Sequence, residues 1–231
     1  EIYTQKSLDD ATCFSATTLE SGVLINDGKA HFEFKPLPRL AQISPSHAAV
    51  LAHLDGDEHL DLVLAQNDFS PQRETGRMDG GLSLVLRGRG VDGFRVCWPH
   101  ESNVSIGGDA QLALAADLNR DRRPDLIFGV NNEPWRAFIS ASTEELLAIR
   151  LVGVEGNPTA IGARVEVLLT SGKTLVQETY AGAGYLTQGN CELFFGLGQS
   201  TVKSIRVGWP NGALSEANEI TNPMVIAQPE G

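Results

Sequence analysis

Along this 231-residue chain the apolar residues fall in short alternating runs rather than at three- or four-residue intervals, which predicts strands and very little helix. Gly22 to Phe34 (GVLINDGKAHFEF) and Arg164 to Leu169 (RVEVLL) show the alternation most plainly, with Gly, Asn and Asp turns between such runs. Further strands are predicted over 163–168, 174–180, 192–196 and 204–209, where alternating or β-branched residues lie between glycine-rich turns. The longest apolar runs are too short to span a bilayer, so no membrane insertion is expected. Ser142-Thr-Glu-Glu145 fits a capping box and predicts a short helical turn at a domain junction. The pattern therefore divides an all-β chain into residues 1–140, a linker at 141–146 and a small sandwich- or barrel-like β-domain at 147–231.

Two segments of the first part align with each other. VLINDGKAHFEFKPLP followed by HAAVLAHLDGDEHLDLVLAQN matches LVLRGRGVDGFRVCWP followed by AQLALAADLNRDRRPDLIFGVNN; Phe32 and Phe94 are 62 residues apart, Asp57 and Asp121 64. A repeat of that period predicts propeller blades or another sheet array. Each unit would supply a hairpin with a glycine turn (Asn26-Asp27-Gly28; Asp92-Gly93), a strand, an acidic loop and a further strand. Gly88 to Gly93 satisfies GxGxxG, but a strand rather than a helix follows it, so it reads as a hairpin turn and not a dinucleotide site.

The acidic loops carry the most specific chemistry. In D-x-[DN]-x-D-x-x-x-D a turn brings oxygens at positions one, three, five and nine, and a carbonyl at seven, towards one hard cation, a donor set suited to Ca2+. Asp117, Asn119, Asp121 and Asp125 fill the side-chain positions, and Arg123 supplies the carbonyl. Arg120 and Arg122 stand where glycine would ease left-handed backbone, and their charges oppose a cation unless they point away. In the other copy Asp55, Asp57 and Asp61 remain, with His59 at position seven and His53 in place of the first aspartate. Calcium is therefore expected first at the Asp117 loop. Two alternatives stay open: aspartate turns held by hydrogen bonds without metal, and a softer metal at His53 and His59.

A net charge of −11 excludes a nucleic-acid partner of the usual kind, because phosphate binding needs a basic face. Cys13, Cys97 and Cys191 lie far apart without CxxC spacing, leaving at most one disulfide and favouring buried free thiols. No GxSxG, HExxH or P-loop is present. The polar insertion Asn67 to Gly81 between the copies gathers Arg73, Glu74, Arg77 and Asp79, a candidate loop for a sugar or carboxylate. Trp98, Trp135 and Trp209 are expected to pack the sheets. The opening EIYTQKSLDD lacks an initiating Met and the charge and apolar pattern of a signal peptide, so such a peptide is expected to have been removed or to lie outside this chain.

DLNRDRRPDL and HLDGDEHLDL resemble the calcium loops of FG-GAP/VCBS propeller repeats. Ile161 to Gly212 resembles the ASPIC/UnbV domain, through Ile161-Gly-Ala-Arg164, Gly184 to Gln188, Phe195-Gly-Leu-Gly198 and Val207-Gly-Trp-Pro-Asn-Gly212. The combination is similar to cartilage acidic protein-like proteins and their bacterial relatives. The resemblance implies a secreted or cell-surface, calcium-stabilised module with a protein or glycan partner and no assigned catalysis. It implies partial β-propeller blades here, with the remaining blades elsewhere or the open sheet edge covered. A carbohydrate-active lyase-like or glycan-binding protein, and a surface fibre that self-associates through open edges, are the alternatives.

Overall fold

The computed structural model describes residues 3–182, 184–189 and 191–229. The chain forms two compact units, Glu1–Leu37 and Pro38–Gly231. In the first, Thr4 caps the short helix Gln5–Asp9 by accepting a hydrogen bond from the Ser7 amide. Strands β1 (Gly22–Asn26) and β2 (Phe32–Pro36) then form a two-stranded antiparallel sheet with Leu24 opposite Phe34. Asn26 Oδ1 accepts from the Gly28 amide and Asp27 Oδ1 from the Lys29 amide, as the asparagine-aspartate-glycine turn predicts. Leu24, Ile25, Phe32 and Phe34 remain exposed on this hairpin.

The second unit is all-β and contains four sheets. The first sheet is an antiparallel meander of β3 (Ser46–Ala52), β4 (Asp61–Gln66), β5 (Leu84–Gly88) and β6 (Phe94–Cys97). The second has three strands, β7 (Ala110–Ala116), β8 (Asp125–Val130) and β9 (Arg136–Phe138). Every residue of β4 is buried, so its central run Leu62 to Ala65 reads as continuously apolar rather than alternating. Val63, Ala65, Val85 and Cys97 of the first sheet share one core with Ala110, Ala113 and Phe128 of the second. Phe128 meets Phe138 edge-on at a centroid distance of 5.8 Å.

The remaining strands are β10 (Leu146–Val152), β11 (Arg164–Leu169), β12 (Thr174–Glu178), β13 (Glu192–Gly196), β14 (Val202–Gly208), β15 (Leu214–Ala217) and β16 (Met224–Ala227). They form two sheets, ordered β13-β10-β16 and β12-β11-β14-β15, with β10 and β16 parallel and every other pair antiparallel. Alternate residues of β10, β11, β13 and β14, among them Ile149, Val165, Phe195 and Ile205, point into one core shared by both sheets. The four strands expected from the pattern over residues 163–209 are β11 to β14, each within two residues at either end. Among the described residues no sheet closes into a barrel.

Three expectations need correction. The sequence repeat groups a glycine-turn hairpin with the acidic hairpin that follows it. The sheets instead join the acidic hairpin β3-β4 to the next copy's hairpin β5-β6, while β1-β2 form a sheet of their own. Residues 139–145 adopt no helix, because Ser142 Oγ caps nothing beyond the Glu144 amide and the Glu144 carbonyl is held by Arg123 Nε. Of the tryptophans only Trp209 is buried, with its Nε1 donating to Ser215; Trp98 and Trp135 are half or more exposed. All three cysteines are free thiols, and Cys97 lies in the core.

The core of the terminal sheets predicts its own sensitivity. Phe195→Ala should lower the unfolding free energy by about 3–5 kcal/mol, whereas Val176→Ala, on a partly exposed position of β12, should cost less than about 1 kcal/mol. Urea denaturation of the two variants measures the difference.

Candidate metal centre

Each acidic loop joins two paired strands, β3 to β4 and β7 to β8, and its ninth position is the first residue of the second strand. Asp61 and Asp125 are both fully buried there. Each carboxylate spans three segments. One oxygen accepts from the amide of the loop's second residue, Leu54 at 3.1 Å or Leu118 at 2.9 Å. The other accepts from the end of the neighbouring strand or just beyond it, Gly88 N at 2.9 Å or Ser140 N at 2.7 Å. The repeat seen in the sequence is thus a repeat of geometry, with Gly88 equivalent to Ser140 and Arg87 to Ile139.

In the second loop Asp117 accepts from the amides of Asp121 and Arg122, and Asp121 accepts from the Arg123 amide. Asn119 Oδ1 accepts from the Asp121 amide, and its Nδ2 donates to Asp121 Oδ2. These bonds wind the turn around the Asp117 and Asp121 carboxylates. Arg120 and Arg122 hold left-handed φ angles of 65° and 68°, the conformation that glycine takes at Gly56 in the first copy. Their charges do not close the loop. Arg122 Nη1 donates to the Asn222 carbonyl at 2.7 Å, Arg123 Nε donates to Glu144 O, and Arg123 Nη1 is 3.7 Å from Asp121. The loop supplies three carboxylates and one amide oxygen, the donor types that a hard divalent cation takes, although Asp121 also faces the Arg123 guanidinium. Asp117, Asn119, Asp121 and Asp125, with the Arg123 carbonyl, would hold it. Negative charge at Asp117 also helps to raise the pKa of nearby Glu192, after the larger effect of burial.

The first loop is built differently. Arg87 Nη1 lies 2.8 Å from Asp61 Oδ2 and 3.4 Å from Asp55 Oδ2, so a guanidinium already neutralises two of the three aspartates. Burial pulls the Arg87 pKa down, but the Asp61 and Asp55 carboxylates outweigh it and raise it overall. Burial also pushes the Asp61 pKa up, against the Gly88 amide and Arg87. His53, 3% exposed, donates through Nδ1 to the Asp57 carbonyl, where Asp117 of the other copy accepts from amides. Asp57 Oδ1 accepts from the His59 amide. This loop does not fit a calcium ion: the chain supplies its own cation and turns position one into a donor.

The first loop also packs on the terminal sheets. Gly198 N donates to the Gly56 carbonyl at 2.9 Å, Ser200 Oγ to Glu58 Oε1 at 3.0 Å, and Lys173 Nζ to the Glu58 carbonyl at 3.0 Å. A side chain at Gly196 would collide with the Asp57 carbonyl. Pairing alone would not have revealed Arg87 in the sequence, since it sits 26 residues from Asp61 in a plain strand pattern.

The four residues of the polar insertion do not form one cluster. Arg77 pairs with Asp79 at 3.3 Å and lies over the Phe69 ring at 3.4 Å, while Arg73 and Glu74 are exposed. The insertion is anchored instead by buried Asn67, whose side chain bonds Gly81 N and O and the Gly107 and Gly108 carbonyls. Between the first two sheets lies a cavity of about 610 Å³, with Arg87, Glu101, Asn103 and Ser140 around Phe138.

Fold and site together define an all-β protein with a repeated acidic hairpin loop. Residues 153–225 match the family described as ASPIC and UnbV, which covers most of the two terminal sheets. Comparison with curated proteins finds no match for this chain.

Two measurements check the first loop. Arg87→Met leaves buried Asp61 without its ion partner and should cost about 1–3 kcal/mol in urea unfolding, against at most about 1 kcal/mol for Arg206→Met in an exposed pair. His53 is held below its ordinary pKa by burial, so the folded state binds fewer protons than the unfolded state just below that ordinary value. Its contribution is complete at higher pH and lost as pH falls towards the lowered value. The melting temperature of the wild type should therefore drop more between pH 7.5 and 5.5 than that of His53→Gln.

Proposed function

We propose that this chain is a calcium-stiffened recognition module of a secreted or cell-surface protein, built from FG-GAP/VCBS-like blades and an ASPIC/UnbV-type β-sandwich. The observation that carries the reading is the Asp117 loop: three carboxylates and an amide oxygen on one turn, with Arg122 bonded to a carbonyl elsewhere and Arg123 divided between the Glu144 carbonyl and Asp121. The four-stranded antiparallel meander β3 to β6 supports the blade assignment, and the match at 153–225 supports the terminal one. Calcium at the Asp117 loop would fix the β7-β8 turn by drawing its carboxylates onto one centre, leaving the exposed loops in a single geometry for a protein or glycan partner.

A second reading, glycan binding, is favoured by the 610 Å³ cavity in which Arg87, Asn103 and Ser140 offer polar groups beside an aromatic ring. A glycan array that finds acidic saccharides as ligands, with Asn103→Ala abolishing the signal, would favour it over a protein partner.

Calorimetric titration tests the calcium reading. The expected outcome is one Ca2+ per chain, weakened at least about tenfold, roughly 1.4 kcal/mol, by Asp117→Asn or Asp121→Asn and unchanged by Asp55→Asn. Saturating Ca2+ should raise the wild-type melting temperature and not that of Asp121→Asn. Absence of Ca2+ binding at millimolar concentration, or loss of it in Asp55→Asn alone, overturns the proposal.

A further inference from the structure

The acidic loops occupy one end of the paired hairpins, and the opposite end carries a second group of metal-binding side chains. A ring nitrogen of His47 and one carboxylate oxygen each from Asp68 and Asp109 lie within 4.8 Å of one another. The three come from equivalent ends of neighbouring strands: the start of β3, the residue pair after β4, and the residue before β7. A six-residue strand rises about 20 Å, so this group is remote from the Asp117 loop. His47 is the extra residue of a bulge in β3, between paired Ser46 and Ala48. Bulges re-aim a side chain out of its ordinary alternation, and this one directs the imidazole to the carboxylates.

Four features mark the group as a built site rather than a chance meeting of surface acids. Asp109 is 2% exposed, and its two oxygens accept from the side-chain amides of Gln111 and Asn131, which fix its orientation. His47 Nε2 is shielded from solvent and has no hydrogen-bond partner. The cluster opens into a cavity of about 510 Å³ whose lining contains no lysine or arginine, so no side-chain cation there offsets the two carboxylates. Tyr185 packs against the His47 ring at 5.8 Å and Trp135 lines the same cavity, giving it apolar walls. Bringing two carboxylates together on the rim of a cavity is costly unless a cation joins them.

We propose that His47, Asp68 and Asp109 form a binding site for a first-row divalent metal ion, Zn2+ or Mn2+, separate from the calcium loop. One imidazole and two carboxylates suit these borderline ions, whereas calcium takes a shell of oxygens alone. Three protein ligands from one side leave coordination positions facing the cavity, where a carboxylate or hydroxyl group of a small ligand would complete the shell. Gln111 and Asn131 act as positioning residues through Asp109.

The test is titration of the metal-stripped chain with Zn2+ in saturating Ca2+, followed by the Mn2+ electron paramagnetic resonance signal on the same samples. Asp117→Asn removes the acidic loop from the measurement, so the result does not depend on the calcium proposal. One equivalent of Zn2+ should bind to the wild type, with affinity reduced at least about tenfold in His47→Gln and in Asp68→Asn and unchanged in Asp117→Asn. Circular dichroism melts of both variants identify any loss caused by unfolding, and Gln111→Ala supplies a variant that spares every ligand while weakening binding. No Zn2+ or Mn2+ binding at millimolar concentration, binding equal in folded His47→Gln and wild type, or equal competition by Ca2+ overturns the site.

Discussion

The two buried carboxylates at Asp61 and Asp125 are the constraint on which the rest of the paired sheets depends. A carboxylate removed from water costs several kcal/mol unless its oxygens are taken up by donors, roughly as much as a small domain has in hand. Each aspartate meets this demand in the same way, with one oxygen on a loop amide and the other on an amide at or just past the end of the next strand. Once both bonds are made, the loop length, the hairpin register and the placement of the third strand are fixed together. An apolar residue at either position would leave two amides unpaired in different segments.

From that shared clamp the copies diverge through their neighbours. Where the first has Arg87 the second has Ile139, so the buried Asp61 faces a tethered guanidinium and the equivalent position beside Asp125 is apolar. Where the first has Gly56 the second has Arg120, so only the first turn is bare enough for another backbone to approach. The two differences act in concert. The first loop, pressed against other strands, balances its charge with Arg87, whereas in the second Arg122 bonds outward to the Asn222 carbonyl and Arg123 stands 3.7 Å from Asp121.

Much of this was legible in the sequence. Period-two alternation located β11, β12 and β14 because those strands have one face on a core and one towards solvent, while β13, buried along Leu193 to Gly196, was marked by its apolar run between turns. The acidic spacing located both loops, since every oxygen lies within nine residues. The grouping of strands into sheets was not legible: a repeat is indifferent to where its unit begins, and only hydrogen bonding decides that β5-β6 extend the preceding acidic hairpin. Nor were contacts between distant positions. Arg87 looks like any polar residue of a strand, and His47, Asp68 and Asp109 are joined by a bulge and a turn that leave no local signature. Ser142 to Glu145 misled because a capping box is a preference of four residues, overridden once their backbone bonds to Arg123.

The same reasoning gives a physical role to the Phe195-Gly-Leu-Gly198 run. Phe195 is fully buried and anchors β13, with its ring 6.4 Å from that of His53. Gly196 leaves space for the Asp57 carbonyl, and Gly198, at φ 57°, directs its amide to the carbonyl of Gly56. Phenylalanine supplies apolar area while the glycines let two backbones approach to hydrogen-bonding distance, which no larger residues would allow. The terminal sheets thereby hold the first acidic loop by its main chain, whatever ions are present. Packing on the terminal sheets and the Arg87 ion pairs together hold that loop in place.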